Sequence, residues 1–395
     1  MKRTFNRNII AAAGVITLLL AGLVYAWSVL SAPIAAEFPD WSRASLSFTF
    51  TLCMSFFCLG GLVGGIVSKK LPVAVNLLAA AVLFFIGFRI TSGITSLTGL
   101  YIGFGILSGF ASGLAYNAVM GSVMGWFTDV QGLISGILLM GFGISSFLVG
   151  KIYTALLPSM GWRAEFKAFS WILLVLIALS ALVIQKPEPK AKAAGGTGGY
   201  SSAEMLKEKS FWIYAVWTIL LSSTGLAFIA QASGILHEAS PNVTASTAAT
   251  VIGLISIFNG IGRVIFGGLF DKIGYRKNML FDCVLYIAAL ALAILGLKSG
   301  SFLIVVLAFI AFGLAYGGVT PLNSAVISSF FGTENYAVNF SIINLTLIVS
   351  SFGGTLAGLI YDKTGSYMTM LICFTVIVVL GILASLALKK PEKKA

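Results

Sequence analysis

Runs of about 20 apolar residues follow one another along this whole chain, and that is the length an α-helix needs to cross the hydrocarbon of a bilayer. They centre on residues 9–31, 44–67, 73–93, 97–124, 131–157, 166–185, 210–236, 246–270, 278–298, 301–330, 338–361 and 366–388. Only 10% of the residues are charged, against about 25% in soluble domains, while 58% are hydrophobic and the mean hydropathy is +1.00. The chain therefore reads as an all-α membrane protein of twelve transmembrane helices, and a soluble globular enzyme is excluded.

A net charge of +12 raises the question of nucleic acid. The Lys and Arg, however, lie in short loops and tails, a pattern that orients helices and requires no nucleic-acid partner. With the N-terminus in the cytoplasm, about 17 of the 25 Lys and Arg fall on the inner side and about seven on the outer. That count places both termini in the cytoplasm. The apolar stretch from Ile9 to about Leu30 exceeds the 7–15 residues of a signal-peptide core and reads as an uncleaved first span.

Residues 186–209, rich in Pro, Lys and Gly, interrupt the pattern and read as a cytoplasmic linker, with Glu204 to Lys209 as a short interfacial helix. The linker divides an N-terminal six-helix bundle, 1–185, from a C-terminal one, 210–395. The two halves repeat. Gly113-Leu114-Ala115-Tyr116 returns as Gly313-Leu314-Ala315-Tyr316, Ser145-Ser146-Phe147 as Ser350-Ser351-Phe352, and Gly150-Lys151-Ile152-Tyr153 as Gly358-Leu359-Ile360-Tyr361. Two parallel six-span repeats imply a midplane site and alternating access. Glycines at four-residue spacing, such as Gly60 with Gly64 and Gly109 with Gly113, allow helices to approach closely.

The chemistry narrows to one side chain. Arg263 lies in the eighth apolar run, and no Asp, Glu, Lys or His accompanies it between Glu238 and Asp271. An ionisable residue at membrane depth is expensive and points to a functional site. A guanidinium offers a planar fork of donors that fits a carboxylate. Snorkelling toward Asp271 is the competing role, but about eight residues of helix, near 12 Å, separate the two. Cys53, Cys58, Cys283 and Cys373 fall in apolar runs without metal-ligand spacing and read as buried, inert thiols, so neither metal nor cofactor is expected.

The segment Gly267-Gly268-Leu269-Phe270-Asp271-Lys272-Ile273-Gly274-Tyr275-Arg276-Lys277 resembles the loop G-x-x-x-D-R/K-x-G-x-R/K of the major facilitator superfamily, and the resemblance extends over nearly the whole chain. It implies that superfamily's fold of two pseudo-symmetric six-helix bundles. It also implies a cytoplasmic gate at Asp271, Lys272, Arg276 and Lys277. The matching loop of the first half, Gly61 to Pro72, has no acid, so the latch falls to the second half. The fifth span, Gly136 to Gly150, lacks the Gly-Pro pair of proton-driven drug exporters. Within the superfamily, Tyr25-Ala26-Trp27-Ser28-Val29, Tyr116, Arg263 and Tyr316 resemble the oxalate/formate antiporters and the related monocarboxylate transporters. Two departures bear on the substrate. The eleventh span, Asn339 to Tyr361, has none of the second basic residue that an oxalate exchanger carries there, which points to a monoanion. The position four before Arg263 is Asn259, where animal monocarboxylate transporters have Asp, so the eighth span has no acid for a proton relay.

The expected substrate-binding set is Arg263, Tyr116, Tyr316, Asn259, Asn117, Tyr25 and Phe142. The two Tyr occupy repeat-related positions and can donate to a carboxylate. Asn259 lies one turn from Arg263 on the same face, whereas Asn117 points elsewhere on its helix. Tyr25 and Phe142 fall near mid-span, as cavity walls or core packing. His237, Glu238, Asp362 and Lys363 gather at outer helix ends as an outer gate or proton site, or as solvated loop charges. The function these residues imply is secondary transport of a small monocarboxylate, such as lactate, pyruvate or formate, with a proton, by a monomer in a bacterial inner membrane. An oxalate-type dicarboxylate exchanger is the alternative. A transporter-like sensor has too little linker and tail for a signalling domain, and a membrane enzyme finds no cluster of acids, His or Cys at membrane depth.

Overall fold

The computed structural model describes residues 6–41, 43–187 and 199–392. The inner charges Lys2 and Arg3, residues 188–198 of the expected linker, and Lys393 and Lys394 of the tail lie outside the described residues. Among the described residues, regular structure is helical throughout, and eleven helices are long and apolar enough to cross a membrane. One of them, Ala245–Ser299, has 55 residues. At 1.5 Å per residue it would run about 80 Å, well beyond the bilayer's roughly 30 Å core. It folds back at Gly274, where φ 75° and ψ 171° lie in a region that only glycine enters without strain. The twelve expected spans are thus twelve helices: α1 (Arg7–Glu37), α2 (Arg43–Val67), α3 (Val73–Ser92), α4 (Leu97–Trp126), α5 (Gln131–Met160), α6 (Trp162–Val183), α7 (Lys209–Ala239), α8 (245–273), α9 (275–299), α10 (Phe302–Phe331), α11 (Tyr336–Thr364) and α12 (Tyr367–Ala387). The chain is a multi-pass membrane protein.

The Cα positions form two compact units. The first takes Met1–Asp129, Gly141–Gly196 and Tyr336–Ile342, and the second takes Val130–Met140, Thr197–Asn335 and Ile343–Ala395. The opening turns of α5 and of α11 are therefore each grouped apart from the remainder of their own helix.

In the first unit α2 crosses α4 backbone to backbone. A side chain at Gly60 would strike the Phe110 carbonyl, one at Gly109 the Cys53 carbonyl, and one at Gly113 the Phe57 carbonyl. The second unit uses the same device between α8 and α10, where Gly262 faces the Leu314 carbonyl, Gly313 the Ile255 carbonyl and Gly317 the Asn259 carbonyl. Small residues at helix contacts supply van der Waals packing where lipid removes the hydrophobic drive. A second repeated element was not evident from the sequence. The Asn76 amide donates to Gly64 O (2.8 Å), tying α3 to α2, and the Asn278 amide donates to Phe266 O (2.7 Å), tying α9 to α8. The repeat is looser elsewhere, since α5 is one continuous helix while α11 runs as Tyr336–Asn344, Thr346–Ser350 and Phe352–Thr364.

The outward faces are apolar, as lipid demands. Leu182 is 70% exposed and Phe352 67%. One sequence expectation is corrected here: Cys53, Cys58 and Cys283 are buried, but Cys373 is exposed on the outer face of α12. The short helix expected at Glu204 to Lys209 spans Ser202–Lys207. It starts at Ser201, whose hydroxyl accepts from the Glu204 N–H while the Glu204 carboxylate accepts from the Ser201 N–H. Where α6 ends, Lys186 donates to Ser68 O (2.6 Å), and burial holds its ammonium below the usual lysine range.

Candidate anion site

Arg263 lies on α8 where that helix is gripped on two sides within the second unit. Gly262 packs on α10, while Gly136 and Gly132, in the opening turns of α5, pack on the backbone of Arg263 and Gly267. No side chain intervenes at these points, so the position of Arg263 is set by backbone contact. The residue is 7% exposed. Its Nε donates to Asn259 Oδ1 (3.0 Å) and its Nη1 to the Leu139 carbonyl (2.8 Å). Both acceptors are neutral. The ion pairs among the described residues are Arg7 with Asp129 and Arg163 with Glu37, so the Arg263 charge has no carboxylate within reach. A buried charge without a counter-charge carries a desolvation penalty of several kcal/mol even after relaxation. An anion seated on the free edge of the guanidinium would relieve it.

Of the expected site residues, Asn259 and Tyr316 belong to the same unit as Arg263. Asn259 is itself 7% exposed and orients the guanidinium. Tyr316 is half-buried on α10, with its ring laid on Gly225 of α7, where any side chain would collide with it. The next residue, Gly317, faces Asn259 and the Arg263 amide, so Tyr316 sits at the crossing that carries the Arg.

Tyr116, Tyr25, Phe142 and Asn117 belong to the first unit. The rings form one cluster: Tyr116 meets Phe142 at 5.1 Å and Phe57 at 5.2 Å between centroids, and Tyr25 meets Phe142 at 5.2 Å. The Tyr116 ring also stacks on Phe340 at 5.8 Å. Edge-to-face geometry of this kind suits aromatic quadrupoles. Phe57 and Phe340 escaped the sequence reading because single Phe residues in apolar runs carry no signal. Asn117 donates to Ala337 O (2.8 Å), which fastens the first turn of α11.

The residues of the α8–α9 loop divide by role. The Asp271 carboxylate accepts from the Gly132 amide (3.0 Å) and the Leu133 amide (2.8 Å), the unpaired first-turn N–H groups of α5. Arg276 donates to Leu388 O (2.8 Å) at the C-terminal end of α12. Lys272 and Lys277 are exposed, with no hydrogen bond or ion pair among the described residues. At the other helix ends, Glu238 accepts from the Ser366 hydroxyl (2.5 Å) and the Tyr367 amide (2.9 Å), capping α12. His237 Nδ1 contacts Ser233 O (2.8 Å) on its own helix. Asp362 and Lys363 are exposed and make no ion pair among the described residues.

Two single acids, on different helices, are buried among the described residues. Asp282 on α9 is 0% exposed, and Glu165 on α6 is 1% exposed. Asp282 was legible as the one acid inside the run 278–298, but it sits about a turn and a half from the loop charges and blends with them in the sequence.

Residues 12–352 match the sequence profile described as Major Facilitator Superfamily. The chain is 27% identical over 350 residues to monocarboxylate transporter 13 of Rattus norvegicus, covering 88% of this chain and 81% of that one. It is 25% identical over 353 residues to the oxalate:formate antiporter of Oxalobacter formigenes, covering 88% and 83%. The solved proton:xylose symporter XylE shares the fold at a TM-score of 0.72 and 14% identity, covering 96% of this chain and 95% of that one.

Proposed function

Because the chain belongs to the major facilitator superfamily, it is a membrane transporter and not an enzyme, and we propose that its cargo is a small monocarboxylate of the lactate, pyruvate or formate type, carried with a proton by alternating access. The observation that carries this reading is Arg263, a buried cation held by two neutral acceptors and by no acid. Its fork matches a carboxylate, and pairing removes the charge that makes the empty site costly. The relatives' names, for monocarboxylates and for oxalate and formate, agree with that chemistry. Asn259 keeps the fork in register, and Tyr116 and Tyr316 are the candidate hydroxyl donors, with Tyr25 and Phe142 as apolar walls.

The charge count favours one carboxylate over two. Between Asn339 and Tyr361, α11 has no Lys or Arg. A dianion would leave its second carboxylate uncompensated. The two six-span repeats, 1–185 and 210–395, joined by 186–209, are the moving parts of the proposed cycle. Asp271 and Arg276 hold helix ends on the inner side, and Lys272 and Lys277 lend that side charge. His237, Glu238, Asp362 and Lys363 stand on the outer side, where Glu238 holds the outer end of α12. The distribution of Lys and Arg supports cytoplasmic termini, and the proposed location is a bacterial inner membrane. The unit of function is a monomer.

Uptake of labelled lactate, formate and oxalate into proteoliposomes tests the reading. Lactate or formate should enter faster when the outside is acidic, and Arg263→Gln should abolish uptake in a protein that still inserts. Oxalate uptake equal to that of lactate in the unmodified protein would transfer the assignment to a dicarboxylate exchanger.

A further inference from the structure

The carboxyl of Asp282 is fully buried on α9, and neither oxygen has a hydrogen-bond partner among the described residues. The ionisable groups that face it are Tyr214 from α7 and Cys283 and Tyr286 from its own helix. No Lys, Arg or His among the described residues interacts with it there. From α10 comes Gly318, where an added side chain would begin 2.8 Å from Asp282 Oδ1. From α12 comes Ser385, 3.9 Å from the Cys283 sulfur. Nearby, Tyr214 and Thr218 donate to Asn323 Oδ1 at 2.8 and 3.0 Å, while the Asn323 amide is buried without a partner. An ionised carboxylate without hydrogen bonds is costly in such a place, so ionisation of Asp282 needs an unbalanced cation in the same unit to offset it.

The position of this acid relative to Arg263 is specific. Gly317 and Gly318 are consecutive on α10. A side chain at Gly317 would collide with the Asn259 carbonyl and lie 3.1 Å from the Arg263 amide, whereas one at Gly318 would meet Asp282. The Gly317–Gly318 step of α10 thus touches the α8 backbone at Arg263 with one residue and the acid of α9, together with the Phe266 ring, with the next. Tyr286, one turn beyond Asp282, interacts electrostatically with both Asp282 and Tyr316, and Tyr316 in turn with Arg263.

We infer that Asp282 is the proton-carrying residue of transport, coupled to the anion at Arg263 across the Gly317–Gly318 step; this rests on the anion reading of Arg263. With the anion bound, the buried charged groups of the second unit are the Arg263 guanidinium, the bound carboxylate and a protonated Asp282. When the anion leaves, the Asp282 proton leaves with it, and the carboxylate offsets the Arg263 charge within the same unit without pairing with it. The buried groups of the second unit sum to zero in both states, so neither loading nor unloading leaves an added charge buried in that unit. One anion and one proton cross per cycle. The eighth span needs no acid of its own, because α9 supplies one.

Asp282→Asn keeps the shape of the protonated acid and cannot release a proton. In proteoliposomes the unmodified protein should accumulate lactate about tenfold per unit of imposed pH gradient, since one unit corresponds to 1.36 kcal/mol. The variant should show no accumulation, and its lactate exchange should continue but cease to respond to pH. Accumulation by Asp282→Asn equal to that of the unmodified protein overturns the inference, and so does a requirement for a sodium gradient that the variant abolishes. If the variant does not fold, infrared spectroscopy of the unmodified protein decides. Among the carboxyl bands, the one for protonated Asp282, identified by aspartate isotope labelling, should be present at neutral pH and fall as lactate is washed out. A band that ignores lactate, or an ionised Asp282 throughout, overturns the inference. If the unmodified protein carries none of lactate, pyruvate or formate, the anion reading fails first. The infrared arm, run from acid to alkaline pH without any anion, then stands alone: an Asp282 band that never titrates rejects a proton-carrying role.

Discussion

Arg263 makes a direct test of geometry against charge. Arg263→Lys keeps the charge but loses the fork, so it should weaken lactate binding by about 1.5–3 kcal/mol, the worth of a hydrogen bond to a charged group. Asn259→Ala leaves Nε buried without its acceptor. Binding by isothermal titration should fall by about 1–3 kcal/mol, with Arg263 still in place. Tyr116→Phe and Tyr316→Phe should each cost about 0.5–1.5 kcal/mol if both hydroxyls reach the carboxylate. No change for either variant in the same titration would make the pair packing residues. At this scale the sequence showed what one helix holds. Arg263 and Asn259 are four residues apart, so their meeting is a property of α8 alone. The Leu139 carbonyl could not be read from the sequence, because it depends on how α5 lies along α8, and that in turn depends on Gly136 and Gly132 having no side chains.

At the scale of elements, α5 depends on a carboxylate outside its own sequence neighbourhood. Asp271→Ala removes the acceptor for two first-turn amides and should destabilise that helix end by about 0.5–2 kcal/mol. Hydrogen exchange should show faster exchange at residues 132 and 133 and little change in α12. Gly317→Ala should be worse, because the helices are already in backbone contact. Overpacking of this sort costs about 1–3 kcal/mol, which a thermal melt in detergent would register. Twelve spans could be read from the spacing of apolar runs, and the Gly274 corner from the loop residues around it. The interruptions of α11 at Leu345 and Ser351 could not, since both are ordinary residues for a helix and both keep helical φ/ψ.

For the whole molecule, the proposed carriage of one monoanion with one proton would make transport electroneutral. An imposed pH gradient should drive lactate uptake, and a potassium-diffusion voltage of either sign should leave the rate unchanged. A voltage-dependent rate would mean that the count of buried charges is wrong. The repeat could be read from three short matches, and the paired Asn76 and Asn278 bonds give the same two-fold pattern by a different route. The compact units could not be read from chain order, because 130–140 and 336–342 are each grouped away from the rest of their helices by contacts that only tertiary structure creates.

The fold-back at Gly274 also bears on how the protein is made. One glycine separates α8 from α9, so the two helices leave the translocation machinery as a hairpin. Arg263 lies about 16 Å up one leg from the corner and Asp282 about 12 Å up the other, at 1.5 Å per residue. Each charge alone raises the cost of inserting its leg by about 2.5–3.5 kcal/mol. Delivered together at similar depth, the guanidinium and the carboxylate can compensate each other before any later helix has been synthesised. In a glycosylation-mapping assay of the isolated hairpin, Asp282→Asn should then lower the inserted fraction although it removes a charge, and Arg263→Gln together with Asp282→Asn should restore it. The acid on α9 would have served the biogenesis of the Arg before it served any substrate.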